Sequence, residues 1–135
     1  MITAVDTNVL LDICLPDPKH GPASRDRLKE CLAEGAVFVC EVVYAELACA
    51  FPSHDSLQET LDLLGVELEP SGEKTLWEAA RIWRSALERA GKPAGHRILP
   101  DFLVGAHALI QADRLLTRDR GFYRDYFKNL KALAP

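Results

Sequence analysis

Four acidic residues raise a question of chemistry, and three of them are isolated charges on segments otherwise fit for burial. Asp6 ends the apolar run ITAV and precedes, after Thr7 and Asn8, a second apolar run beginning at Val9. Glu46 is the one charge in VVYAELACAF, and Asp101 is the one charge in DFLVGAHALIQA. Asp119 closes RLLTRD. Burying an unpaired carboxylate costs several kcal/mol, and gathering several adds mutual repulsion. The Glu46 and Asp101 segments carry no lysine or arginine to offset that cost. A hard divalent cation does offset it, because magnesium and manganese favour carboxylate oxygens and keep some of their waters. Asn8, two residues after Asp6, and Thr117, two before Asp119, supply neutral polar groups beside the acids.

Each residue also has a structural alternative. Asp6, Asp101 and Asp119 all suit a helix N-cap. Glu46 suits a solvated helix stripe, although Tyr44, Ala45, Leu47 and Ala48 leave little room for one. Asn8 reads equally as a helix-start residue and Thr117 as a turn cap. The joint pattern, rather than any single residue, favours a metal-binding acidic cluster.

The elements that must position these residues alternate between strand and helix. Ile2–Val5 reads as a buried strand and Thr7–Cys14 as a short helix. Pro22 suits a first helical position, and that helix runs to Glu34 before Gly35. Ala36–Val39 is a second strand, Glu41–Phe51 a helix stopped by Pro52, and Ser56 with Glu59 a capping box for the next helix. That helix places Leu57, Leu61 and Leu64 on one face and ends at Gly65. Val66–Leu68 is a third strand. Leu76, Ala80, Trp83, Leu87 and Ala90 follow helical spacing over Glu73–Ala90. Residues 92–99 read as an exposed loop, Asp101–Ala112 as an apolar helix, Arg114–Thr117 as a strand, Phe122–Phe127 as a last helix and Leu130–Leu133 as a last strand. Such alternation predicts an α/β fold with a mostly parallel central sheet flanked by helices. Asp6 and Asp119 then lie at the carboxyl edge of the sheet, where open α/β folds bind ligands.

Composition fits one domain over residues 1–135. The chain is 48% hydrophobic and 27% charged, and no apolar run approaches the ~20 residues that span a bilayer. The first residues carry neither a basic segment nor a long apolar core, so the expected location is the cytoplasm. Cys14, Cys31, Cys40 and Cys49 form no C-x-x-C pair and read as small buried hydrophobes. The four histidines show no zinc spacing. Net charge is −4, yet residues 114–131 hold six basic residues against two acidic ones. Arg118, Arg120, Arg124 and Lys128 are therefore expected to grip phosphates, with Lys92 and Arg97 as further candidates.

Four stretches carry a resemblance: DTNVLLD at 6–12, VCEVVYAEL at 39–47, PDFLVGAHAL at 100–109 and LLTRDRGF at 115–122. Together, in this order, the chain resembles a PIN domain, and more narrowly a VapC-type toxin of a toxin–antitoxin pair. The resemblance implies a Mg2+- or Mn2+-dependent endoribonuclease with Asp6, Glu46, Asp101 and Asp119 as its catalytic and metal-binding acids and a metal-activated water as nucleophile. It implies Asn8 and Thr117 as supporting polar residues, RNA as substrate, a homodimer and a VapB-type antitoxin partner. The apolar faces around Trp77, Trp83 and Leu87, or around Leu57 and Leu61, are candidate surfaces for those contacts. One departure is Cys40, where such toxins commonly place serine, a better helix cap. The rival readings are a haloacid-dehalogenase-like magnesium phosphatase with Asp6 as nucleophile, and a catalytically silent PIN-like binding module. The phosphatase normally needs a second aspartate where this chain has Asn8.

Overall fold

A computed structural model describes residues 1–91 and 99–135. In chain order the described elements are β1 (Ile2–Val5), α1 (Thr7–Cys14), α2 (Gly21–Glu34), β2 (Ala36–Val39), α3 (Glu41–Ala48) and α4 (His54–Leu64), followed by β3 (Glu67–Leu68), α5 (Glu73–Ala90), α6 (Leu99–Gln111), β4 (Arg114–Leu116), α7 (Arg120–Tyr126) and β5 (Ala132–Leu133). The strands form one sheet in the order β3-β2-β1-β4-β5, and every pairing is parallel.

Side chains on a strand point alternately to opposite faces, so a run of consecutive buried residues requires cover on both. Thr3, Ala4 and Val5 of β1 are all buried, as are Arg114, Leu115 and Leu116 of β4. Helices therefore cover the central strands on both sides. The strand order reverses at β1: β2 and β3 lie to one side, β4 and β5 to the other. Register aligns Val5 with Leu116, and the Asp6 amide continues the ladder to the Leu116 carbonyl at 2.9 Å. The chain thus leaves β1 and β4 side by side, at the topological switch point where such sheets form their crevice.

Several boundaries differ from the sequence-based expectation. The third helix ends at Ala48 rather than Phe51, because the Ala50 and Phe51 amides turn back to Leu47 and Ala48, three residues earlier, ahead of Pro52. The capping box of α4 is Ser53 with Ser56, not Ser56 with Glu59. The Ser53 hydroxyl takes the Ser56 amide at 3.1 Å, and Ser56 Oγ takes the Ser53 amide at 3.3 Å. Gly65 ends α4 in the left-handed region, at φ 73°, as a C-cap glycine should. Along α5 the buried stripe is Thr75, Ala79, Ile82, Ala86 and Leu87, while Leu76, Ala80 and Ala90 face solvent. Small residues let α5 lie against α6, so bulk at Leu76 and Trp77 is turned outward, and Trp77 is 73% exposed. Leu57, Leu61 and Leu87 are core and leave the set of candidate docking residues. Of the cysteines, Cys31 and Cys40 are buried as expected, whereas Cys49 is exposed. The loop expected over 92–99, with Lys92 and Arg97, lies outside the described residues except for Leu99, which starts α6.

The α6–α7 junction sets the far side of the crevice. Phe102 meets Phe122 edge-on at 5.4 Å and Tyr126 at 5.3 Å. Gly105 admits the Phe127 ring so closely that a Cβ there would overlap it. Gly105→Ala gains about 1 kcal/mol of helix propensity, but displacing a packed ring costs about 1–3 kcal/mol. The variant should therefore melt below the wild type in a thermal scan. An equal or higher Tm would show that the ring moves freely and that this contact does not fix α6 to α7.

Candidate active site

Asp6 is the hub. As N-cap of α1 its backbone is extended, φ −79° and ψ 155°, and one carboxylate oxygen takes the Thr7 amide at 2.8 Å. The other oxygen, Oδ2, receives the Thr117 hydroxyl at 2.8 Å, the Tyr123 phenol at 3.3 Å and the Asn8 amide at 3.4 Å. Cap and cluster member are thus not alternatives, because the two oxygens divide the work. Burial pushes the Asp6 carboxyl above its usual range. Bonds from Thr117, the Thr7 amide and Tyr123 pull it back, and the Glu46 charge raises it further.

Glu46 approaches from α3, its Oε1 accepting the Thr7 hydroxyl at 2.8 Å. Contrary to expectation a solvated stripe does exist there, since Ala45, Glu46, Ala48 and Cys49 are all exposed. Cys40, the N-cap of α3, makes no side-chain cap bond, as its substitution for a hydroxyl residue predicts. Asp101 sits in the first turn of α6, as its third residue rather than its N-cap, and is half-buried. Asp119 is the N-cap of α7, its Oδ1 facing the Phe122 amide at 3.5 Å, and is exposed.

Thr117, fully buried, joins the first acid to the last. Its hydroxyl donates to Asp6 and accepts the Asp119 amide at 2.9 Å. Asn8 works both ways as well, its Oδ1 accepting the Arg118 amide at 3.2 Å. Sequence reasoning missed Tyr123. It is 1% exposed, yet its hydroxyl stands among Asp6, Asp101 and Asp119, whose charges together with burial push its ionisation far above the usual tyrosine range. It therefore stays a neutral donor to Asp6. The available signal was a tyrosine four residues after Asp119, on the inward face of a helix, where a hydroxyl needs a partner.

The basic residues divide into two kinds. Arg118 is not free for a phosphate: its Nε and Nη2 hold the two oxygens of buried Asp12 at 2.8 and 3.0 Å. Asp12, in α1, also went unread. Arg120, Arg124 and Lys128 are exposed, and with Arg118 and Gly121 they line a groove of about 540 Å3 between α7 and β5, with no carboxylate in its wall among the described residues.

A divalent ion suits this donor set. Among the described residues no three acidic, histidine or cysteine side chains close on one point as a finished clasp does. Magnesium needs only one or two carboxylates beside its waters and substrate phosphates. The four acids are hard oxygen donors. Among the described residues the hydrogen bonds to Asp6, Glu46 and Asp119 come from neutral groups, which leaves their negative charge for a cation to balance.

A family model, the PIN domain, matches residues 3–128. The chain belongs to the PIN domain family. PIN domains are nucleases. The fold is similar to that of VapBC2 from Rickettsia felis bound to a promoter DNA fragment, with TM-score 0.73, 21% identity, and 99% of this chain and 98% of that chain covered. It is similar to VapBC-1 from nontypeable Haemophilus influenzae, with TM-score 0.69, 21% identity, and 99% and 98% covered. It also resembles FitAcB from Neisseria gonorrhoeae, with TM-score 0.64, 23% identity, and 98% and 96% covered. No curated protein matches the sequence.

The raised Asp6 carboxyl gives a signed expectation. A folded-state pKa above the unfolded one means that the native PIN domain binds the extra proton, so stability falls as pH rises from the unfolded value, about 3.9, through the raised one. Asp6→Asn removes that dependence while keeping an acceptor for Thr117. In metal-free thermal melts its Tm relative to wild type should increase between pH 4 and pH 7. A constant difference across that range would mean that Asp6 carries no such penalty.

Proposed function

We propose that this PIN domain is a Mg2+- or Mn2+-dependent endoribonuclease and the toxin of a VapBC-type pair. The observation that carries the reading is the linkage of acids from four separate elements beside the switch point of the sheet: Thr7 joins Asp6 to Glu46, and the Tyr123 hydroxyl lies in the field of Asp6, Asp101 and Asp119. Asp6 and Asp101 would hold the metal first, with Glu46 and Asp119 completing the charge. When bound, such an ion supplies Lewis-acid charge at a phosphoryl oxygen and lowers the pKa of water. The protein groups provide the rest. Thr117, Tyr123 and Asn8 hold Asp6 in one orientation, and Thr7 does the same for Glu46. The groove of Arg120, Arg124 and Lys128 runs along α7 from the Asp119 end and offers charge to the phosphates of the bound strand.

Two observations weigh against the phosphatase alternative: Asn8 stands where such an enzyme normally needs its second aspartate, and the family match over residues 3–128 is to the PIN domain. Partners and location come into the proposal from the likeness to toxin–antitoxin complexes. An antitoxin and a second copy of the chain are the expected partners. The exposed Leu76 and Trp77 of α5 offer apolar surface to such contacts. Among the described residues no helix is long and apolar enough to cross a membrane, in keeping with action in the cytoplasm.

Purified protein should cut RNA when magnesium or manganese is added and stop when the ion is chelated. Asp101→Asn should abolish cutting and keep the wild-type circular dichroism spectrum. A fully active Asp101→Asn protein would remove that residue from the catalytic set. Trapping of a phospho-Asp6 would instead favour the phosphatase, and a folded, metal-loaded protein with no nuclease activity a silent module.

Arg120→Glu combined with Arg124→Glu should weaken RNA binding more than it slows the chemical step. Contacts to single-stranded phosphates each contribute about 0.7 to the slope of log K against log salt, so the double variant should flatten that slope by roughly 1.4. An unchanged slope would place the RNA path elsewhere.

A further inference from the structure

The sequence places a buried carboxylate, Asp12, at the far end of the helix that Asp6 caps, and the nuclease reading gives it no role. It is 4% exposed. Its Oδ2 accepts the Ser24 hydroxyl of α2 at 2.7 Å, and Arg118 grips both of its oxygens. Ser24 is itself fully buried. A charge so enclosed persists only when paired and hydrogen-bonded, and a planar two-point arginine contact fixes direction as well as distance.

Arg118 lies between Thr117 and Asp119. The 117–119 segment is therefore tied to α1 at three successive points: Thr117 Oγ1 to Asp6, the Arg118 amide to Asn8, and the Arg118 guanidinium to Asp12. The first two ties are single hydrogen bonds at the mouth of the crevice, and the third is a charged, two-point anchor beneath it. Asp119 itself is exposed, and within the described residues its hydrogen bonds are a long one to the Phe122 amide and one from its own amide to Thr117. Little but the anchored segment determines where its carboxylate points.

We propose that Asp12, Arg118 and Ser24 form a positioning anchor that orients Asp119 toward Asp6. Arg118 thus acts as a positioning residue, not as a contact for the RNA backbone. Its consequence for cleavage rests on the nuclease reading, but the anchoring itself does not.

Two measurements on the full chain separate these levels. Amide hydrogen exchange reads the anchor directly. In Arg118→Gln the Arg118 and Asp119 amides should lose at least tenfold in protection beyond any loss at Leu115, whose amide bonds to Lys131 within the sheet. Equal losses at all three amides, or none, would overturn the proposal whatever the nuclease assay shows. Asp12→Asn, which keeps the volume and one acceptor, should give the same pattern in smaller measure and serves if the arginine variant does not fold. Steady-state cleavage reads the consequence. Arg118→Gln should lower kcat about tenfold with KM within twofold of wild type, and Arg118→Lys should recover only part of it. A raised KM with unchanged kcat would make Arg118 a substrate contact and overturn the assignment. A wild type that cuts no RNA would sink the nuclease reading, and the exchange result would still decide the anchor.

Discussion

A carboxylate kept half-buried beside other carboxylates is the constraint on which this PIN domain is organised. Asp6 bears the full conflict: burial and Glu46 favour its neutral form, while donors on three sides favour the charged one. Those donors come from α1, from the end of β4 and from α7. Holding them in place demands that β1 and β4 be neighbours in register and that α7 pack its inward face against α6. Much of the fold serves to keep this one group oriented and within reach of the other acids.

The neutral character of the donors is as important as their number. A lysine or arginine at Asp6 would settle the local charge and cancel the attraction for a cation. Among the described residues the cationic side chains near the site are directed elsewhere. Arg118 is paired with Asp12, and Arg120, Arg124 and Lys128 line a separate groove between α7 and β5. A hydroxyl, a phenol and an amide stabilise the carboxylate without neutralising it. The crevice therefore stays negative while its flank is positive, an arrangement suited to holding a divalent ion in one place and a polyanion in the next.

Asp6, Glu46 and Asp101 stand out in the sequence because each is a polar residue in an apolar frame, a conflict that singles out candidate functional positions. The sheet was legible because its strands are short apolar runs separated by helical patterns, and β1, α1, β2 and α5 emerge with the bounds expected of them. What escaped reading has identifiable causes. Tyr123 looks like one more aromatic in FYRDYF, since the sequence does not say which of its two tyrosines carries a hydroxyl into the cluster. Asp12 and Arg118 lie 106 positions apart and pair only through β1–β4 adjacency. Arg118 was consequently read as a phosphate contact. The stripe of α5 was displaced because its partner, α6, selects small residues over large ones. The solvated stripe at Glu46 was missed because its other members are Ala45, Ala48 and Cys49, small residues that tolerate water without advertising it.

The strand order has a consequence for the life of the chain before it is finished. The central strand is made first, and one of its two partners, β4, is among the last segments to be made. Translation proceeds at about 5–20 residues per second, so for several seconds β1 has only β2 beside it and Asp6 has neither Thr117 nor Tyr123. During that interval the nascent chain holds at most three of its four acids, and the hub residue lacks two of its donors. The site proposed around Asp6 is thus complete only once residues 114–123 have emerged and docked. The topology works as a delay, present in the order of the strands alone and needing no additional part.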